Sequence, residues 1–197
     1  MKKIIIATKN KGKVKEFRDF FAPHHIEVVS LLDLDEDIPD IEETGESFVE
    51  NAAIKAEQIS NRFQKTVLAD DSGLVIDSLE GRPGVYSARY AGEPTDDQAN
   101  IDKVLEEMKE IPEEERGARF VCVLAIAQPG QEPLFVTGYC EGHIQTEQSG
   151  ENGFGYDPIF VPEGYEKTMA ELDPAEKNQI SHRKIAMNQL EQNIHLL

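Results

Sequence analysis

Two adjacent carboxylates, Asp70 and Asp71, interrupt an apolar run that begins Val67-Leu68-Ala69 and resumes at Leu74-Val75-Ile76. Neighbouring carboxylates repel and usually need a cation or a shared proton nearby. Ser72-Gly73 behind them is a turn signal, and glycine lets backbone come close to a ligand. The pattern therefore predicts a carboxylate site at the end of a strand. A long loop dense in Gly, Pro, Arg and Tyr follows, from Gly81-Arg82-Pro83-Gly84 to Tyr86-Ser87-Ala88-Arg89-Tyr90; a structural hairpin does not require one.

Three other stretches carry related chemistry. Thr8-Lys9-Asn10-Lys11-Gly12-Lys13 is a basic, glycine-containing loop ahead of a helix, a junction that turns backbone N–H groups and the positive helix end toward an anion. Residues 150–158 isolate Phe154 and Tyr156 among Gly150, Gly153 and Gly155, with Asp157 next to them. Aromatics flanked by glycine are poor core material and good stacking platforms for a planar ligand. Lys177 precedes Ser181-His182-Arg183-Lys184, and cationic side chains in a first helical turn oppose the helix dipole unless an anion or an electron-rich base edge binds there. Each stretch is weak alone. Jointly, and with Glu43, they describe phosphate contacts, a divalent metal, a stacking slot and a reader of a base edge, which is a nucleotide site.

The elements that must position these residues are read from periodicity. Residues 3–7 form a strand, and Val14, Phe17, Phe20 and Phe21 recur at helical spacing. Residues 26–31 suggest a second strand. Ser47 with Glu50 is a capping box for a helix whose apolar face carries Phe48, Ala52, Ile59 and Phe63. Lys55 falls on that same face beside Asn51, either snorkelling or facing a polar site. Thr95 and Gln98 offer another capping box, with Ile101, Val104, Leu105 and Met108 as the inward stripe. Residues 119–127 are apolar on both alternating faces, as in a central strand. Pro129-Gly130 marks a turn into a strand at 134–140, with a further strand at 142–146. A short strand at 159–161 and helices opened by Asp173-Pro174 and by Ser181 complete the order.

Bulk properties narrow the class. The chain has 197 residues with 39% hydrophobic content, enough for a sizeable core, and is read as a single domain over residues 1–197. No apolar run approaches the ~20 residues that span a bilayer. With 20 Lys+Arg against 38 Asp+Glu, the net charge is −18, the wrong sign for a nucleic-acid or membrane-surface binder. Cys122 and Cys140 lack Cys-x-x-Cys spacing and read as buried free thiols in a reducing compartment. Neither a P-loop nor a G-x-G-x-x-G fingerprint is present.

The ordered motifs T-x-N-x-x-K at 8–13, E-E-T-G-x-x-F-x-E-N-A-x-x-K-A at 42–56, A-D-D-S-G-L at 69–74 and G-R-P-G-V-Y-S-A-R-Y-A-G at 81–92 resemble the inosine/xanthosine triphosphate pyrophosphatase family. G-F-G-Y-D-P at 153–158, T-M-A-E-L at 168–172 and K-N-x-I-S-H-R at 177–183 extend the likeness over essentially the whole chain. The resemblance implies an α/β fold: an elongated mixed β-sheet flanked by helices, in two lobes with the active site in the cleft between them. It implies a Mg²⁺-dependent, cytoplasmic homodimer that hydrolyses deaminated purine triphosphates (ITP, dITP, XTP) to the monophosphate and pyrophosphate. By position, it implies Asp71 as general base to a Mg²⁺-bound water, with Glu43, Asp71 and Asp70 at the metal. Lys55 neutralises the phosphates, and Thr8, Lys9, Asn10, Lys11, Gly12 and Lys13 hold them. Ser72 touches the substrate, Phe154, Gly155 and Tyr156 flank the base, and Asp157, Lys177, His182 and Arg183 line its polar edge. The partner so implied is a small nucleoside triphosphate, without nucleic acid or membrane.

Two rivals share some of these features. A Mg²⁺-dependent phosphohydrolase of modified pyrimidine or other noncognate nucleotides would keep the carboxylates and lysines and differ at the base slot. A non-catalytic nucleotide sensor or RNA-binding module would have little use for Asp70, Asp71, Glu43 and Lys55.

Overall fold

The computed structural model describes residues 2–36 and 38–197. Asp37, in the acidic stretch 33–46, lies outside the described residues. The fold is α/β: a six-stranded mixed sheet with hydrogen-bonded order β2-β1-β3-β4-β5-β6, accompanied by five α-helices among the described residues. The chain divides into two compact units, one of Met1–Asp71, Val123–Thr137 and Met187–Leu197, the other of Ser72–Cys122 and Gly138–Ala186. Three strands, β3 (Val67–Ile76), β4 (Gly117–Ala127) and β5 (Leu134–Ile144), therefore contribute residues to both.

In the first unit, β1 (Lys2–Ile6) runs parallel to β2 (Ile26–Ser30), with Ile4 opposite Val28, and parallel to the start of β3, with Ile5 opposite Val67. Parallel neighbours need a crossover, which α1 (Lys11–Phe21) provides between β1 and β2 while burying Val14, Phe17 and Phe21. Helix α2 (Phe48–Phe63) opens with the expected reciprocal capping box of Ser47 and Glu50; a cap of this kind contributes about 1 kcal/mol. Ile59 of α2 packs with Ile5, Ile38 and Val67.

In the second unit, Leu74 and Ile76 of β3 join Ile101, Val104 and Met108 in one core with Phe120 of β4, Ile144 of β5 and Phe160. The apolar stripe of α3 (Asp97–Glu107) and the residue after it faces inward as its spacing predicts. Strand β6 (Phe160–Pro162) is antiparallel to β5, and α4 (Pro174–Ile180) and α5 (His182–Glu191) follow, α5 contributing its residues from Met187 onward to the first unit. Cys122 and Cys140 are buried free thiols.

Three local expectations are corrected. Ser72-Gly73 is not a turn, because β3 passes straight through it. The strand is buried along nearly its whole length between β1 and β4, and a ladder on both sides outweighs local turn preference. Residues 134–144 form one strand, not two. The intervening glycines mark close approach: a Cβ on Gly142 would lie 2.2 Å from the Val161 carbonyl oxygen, and one on Gly138 would lie 2.1 Å from that of His182. Asp96 rather than Thr95 caps α3, its Oδ1 accepting the Ala99 N–H at 3.0 Å.

Candidate active site

The first unit gathers five charged side chains from four places in the sequence. Asp70 and Asp71 are consecutive in β3, and successive strand side chains point to opposite faces, so the two meet different lysines. Lys13, in the first turn of α1, pairs with Asp70 (Nζ to Oδ2, 2.8 Å). Lys55, mid-way along α2, lies 2.9 Å from Glu43 Oε1 and 3.5 Å from Asp71 Oδ1, and donates to the Asp70 carbonyl oxygen at 2.6 Å. Lys55 thus faces a polar site instead of snorkelling. Glu43 and Asp71 share the Lys55 ammonium.

The charges do not balance: Glu43, Asp70 and Asp71 face Lys13 and Lys55. Burial pushes Asp71 up to about 6, with Glu43 and Asp70 adding to the rise while Lys55 and Asn51 oppose it. Burial pulls Lys55 down, but the charges of Asp71, Asp70 and Glu43 outweigh it and raise the ammonium above its ordinary value. Asp71 Oδ2 is buried and has no hydrogen-bond partner among the described residues, an arrangement that costs free energy unless something else meets the oxygen. No group of three or more His, Cys, Asp or Glu side chains stands ready as a metal cage among the described residues. A magnesium site made of one or two carboxylates completed by substrate phosphates needs no such cage. The surplus negative charge and the orphaned oxygen therefore fit a hard divalent cation.

Beside this cluster, the start of α1 is organised by its own side chains. Asn10 Oδ1 caps the helix by accepting the Lys13 N–H at 3.1 Å, and Thr8 Oγ1 accepts the Asn10 N–H at 3.1 Å. No acidic residue occupies the first turn, where Lys11 and Gly12 are exposed, so the positive helix end is left for an external anion. Lys9 is exposed and reaches Asp40 at 3.0 Å.

The second unit carries the aromatic stretch. Phe154 is 69% exposed, held by its N–H donating to Asp157 Oδ2 at 3.0 Å. The buried Asp157 also takes the Lys177 ammonium, whose nitrogen lies 4.8 Å from the Phe154 ring centroid. Gly153 (φ 80°) and Gly155 (φ 59°) supply the left-handed backbone that throws the ring outward. A Cβ on Gly153 would fall 2.1 Å from Asp157 Oδ2. Tyr156, grouped with Phe154 by sequence, is instead core: it is 5% exposed and its hydroxyl donates to the Ser87 carbonyl at 2.6 Å. A phenol with a buried acceptor can join a core that the glycines alone would not support. His182, at the start of α5, stacks on Phe120 with centroids 5.1 Å apart, and Arg183 is buried. Ser181 caps this helix through Lys184 N–H. Ser72 is half-buried in β3, directly after Asp71.

The sequence pattern of the Ham1 family matches residues 4–193. The chain belongs to the Ham1 family. A relative from Oceanobacillus iheyensis called dITP/XTP pyrophosphatase is 70% identical over 197 residues, covering 100% of both chains. One from Bacillus cereus with the same name is 56% identical over 98% of this chain and 95% of its own. Among solved structures, the Staphylococcus aureus Ham1 protein superposes with a TM-score of 0.92 at 44% identity, covering 98% of each chain. A HAM1 protein from Coxiella burnetii gives a TM-score of 0.93 at 42% identity over 100% of both chains. These bear out the family resemblance and the α/β fold.

Three residues of this Ham1 chain escape motif reading as site residues and do positioning work. Ser87 accepts the Leu74 N–H at 2.9 Å and donates to the Gly84 carbonyl, tying the loop at 81–92 to β3. Asp97 accepts the Gly155 N–H at 2.8 Å. Asn51 accepts the Gly45 N–H at 2.8 Å. All three accept from backbone N–H groups, and no local pattern in the sequence announces which backbone each will meet.

Proposed function

We propose that the protein hydrolyses deaminated purine nucleoside triphosphates, ITP, dITP and XTP, to the monophosphate and pyrophosphate. The observation that carries this reading is the cluster of Glu43, Asp70 and Asp71 around Lys13 and Lys55, with Asp71 Oδ2 left unpaired among the described residues. The name dITP/XTP pyrophosphatase on a relative 70% identical supports the choice of substrate.

Glu43 and Asp71, with Asp70 behind them, would hold Mg²⁺. When bound, this ion supplies charge neutralisation at phosphate oxygens and a lowered pKa for water. Asp71 accepts the proton of the attacking water, a task suited to a carboxylate whose pKa lies near the working pH. Lys13 and Lys55 exchange carboxylate partners for phosphate oxygens, and the N–H groups opening α1 receive the remaining phosphate charge. Phe154 stacks on the base. Lys177 and Arg183 offer donors to its polar edge. Hypoxanthine and xanthine present a 6-oxo acceptor where adenine presents an amino donor, and a site built on required hydrogen bonds rejects the wrong partner by ~10⁴ or more.

Product analysis with ITP and Mg²⁺ tests the proposal, with IMP plus pyrophosphate expected. IDP plus orthophosphate would overturn it. A preference for dTTP or UTP over ITP would move the chain to the pyrimidine rival, and tight binding without cleavage would leave a sensor.

A further inference from the structure

Asn51 is 1% exposed, on the inward face of α2 between the capping box and Lys55. A buried amide is unfavourable unless it is hydrogen-bonded. Its Oδ1 accepts the N–H of Gly45, in the loop that carries Glu43, at 2.8 Å. Asn51 also draws the Asp71 carboxyl down against the rise that burial causes. Through Gly45, the amide fixes the loop of Glu43 to the helix that carries Lys55, the ammonium that Glu43 and Asp71 share.

Gly45 has the matching constraint from the other side. A Cβ there would lie 2.6 Å from Asn51 Oδ1, 2.7 Å from Glu50 Cβ and 3.0 Å from the Asn51 backbone nitrogen. The loop is thus seated directly on the first turn of α2, with no room for a side chain. Gly45 does not have a positive φ, so its backbone would admit alanine. The requirement for glycine at this position is the close approach to Asn51.

We propose that Asn51 is a positioning residue, which clamps the Glu43 loop to α2 beside Lys55, so that Glu43 is held with Asp71 on that one side chain, ready for a divalent cation. The inference rests on the reading of Glu43 and Asp71 as metal-site carboxylates. Outer partners of metal ligands typically contribute 10- to 100-fold in metal affinity or activity, and that is the scale expected here.

The test uses two variants that break the clamp from opposite sides. Asn51→Ala removes the amide; Gly45→Ala keeps the amide and pushes the loop off it without emptying the core. Mn²⁺ affinity of the nucleotide-free protein is read by electron paramagnetic resonance, alongside thermal unfolding in chelator and the kcat and KM for ITP. Both variants are expected to bind Mn²⁺ about 10-fold or more weakly. Their kcat should fall about 10- to 100-fold, KM for the nucleotide should move less than about threefold, and excess Mg²⁺ should restore part of the loss. Wild-type Mn²⁺ affinity and kcat in Gly45→Ala would overturn the inference, even if Asn51→Ala failed to fold. A loss of thermal stability with unchanged affinity and kcat would also overturn it, making Asn51 a packing residue. If the unaltered protein binds Mn²⁺ but cleaves neither ITP nor XTP, the proposed substrate fails while the clamp is still read by affinity. If the unaltered protein binds no Mn²⁺ without nucleotide yet cleaves ITP, the clamp falls while the proposed substrate stands.

Discussion

The carboxylate–lysine cluster of the first unit and the glycine–aromatic stretch of the second handle charge and exposure in opposite ways. In the first, every side chain comes from a regular element or the loop just before one; the two aspartates are buried, the other charged groups are part-buried, and three carboxylates meet two lysines. In the second, the key ring is exposed and the ionic pair beneath it, Asp157 with Lys177, is balanced. A group that must move a proton gains from burial and imbalance, because both shift its pKa toward the working pH. A group that must stack on a base needs only an open π face and a rigid root. Gly153, Gly155 and Asp157 provide that root.

By this contrast, damage to the first unit should appear in turnover and damage to the second in recognition. Asp71→Asn should lower kcat by at least ~10², the low end for a lost general base, with KM little changed; near-wild-type turnover would remove Asp71 from the chemistry. The same variant should stabilise the metal-free protein. Asp71 is raised to about 6 in the folded state, so the stability tied to its neutral form is complete below its ordinary value and is lost as pH rises through 6. Asparagine escapes that loss, at most about 3 kcal/mol. Melting curves should favour the variant at pH 8 and show no advantage at pH 4.

Lys13→Ala comes next, with KM for any triphosphate rising about 10- to 100-fold, the worth of a charge-assisted hydrogen bond, whatever the base. A fall in kcat at constant KM would instead place Lys13 at the transition state. Phe154→Ala should cost roughly 10-fold in KM, within the ~1–3 kcal/mol of a base–aromatic stack, and leave kcat within about twofold. An equal fall in kcat and kcat/KM would make the aromatic stretch part of the chemistry and dissolve the contrast. Tyr156→Phe is the smallest effect: about 1 kcal/mol of stability from the lost bond to Ser87, seen as a few degrees in Tm. Altered base preference in that variant would return Tyr156 to the ligand slot.

The two regions also differ in how far the chain announces them. Ser47 with Glu50, Asp173 before Pro174, and the stripe Ile101, Val104 and Met108 depend on neighbours within one or two turns, and each is found where the residues place it. The chemistry-bearing types, Asp70, Asp71, Glu43, the lysines and Phe154, were equally legible, because an unusual residue in an apolar or glycine-rich setting is a local signal. Partnership was not. Lys13 meets Asp70 across 57 residues, and nothing near either one says that Lys55 will go to Glu43 and Asp71 instead. Tyr156 becomes core because a distant Ser87 carbonyl accepts its proton. Ser72-Gly73 stays extended because strands on both sides pair with β3. Residue type and short-range spacing thus determined what this chain can do chemically. Which charge faces which, and which ring faces solvent, was decided by the sheet and helices, since the energies of pairing and burial depend on groups that are neighbours only once the chain has folded.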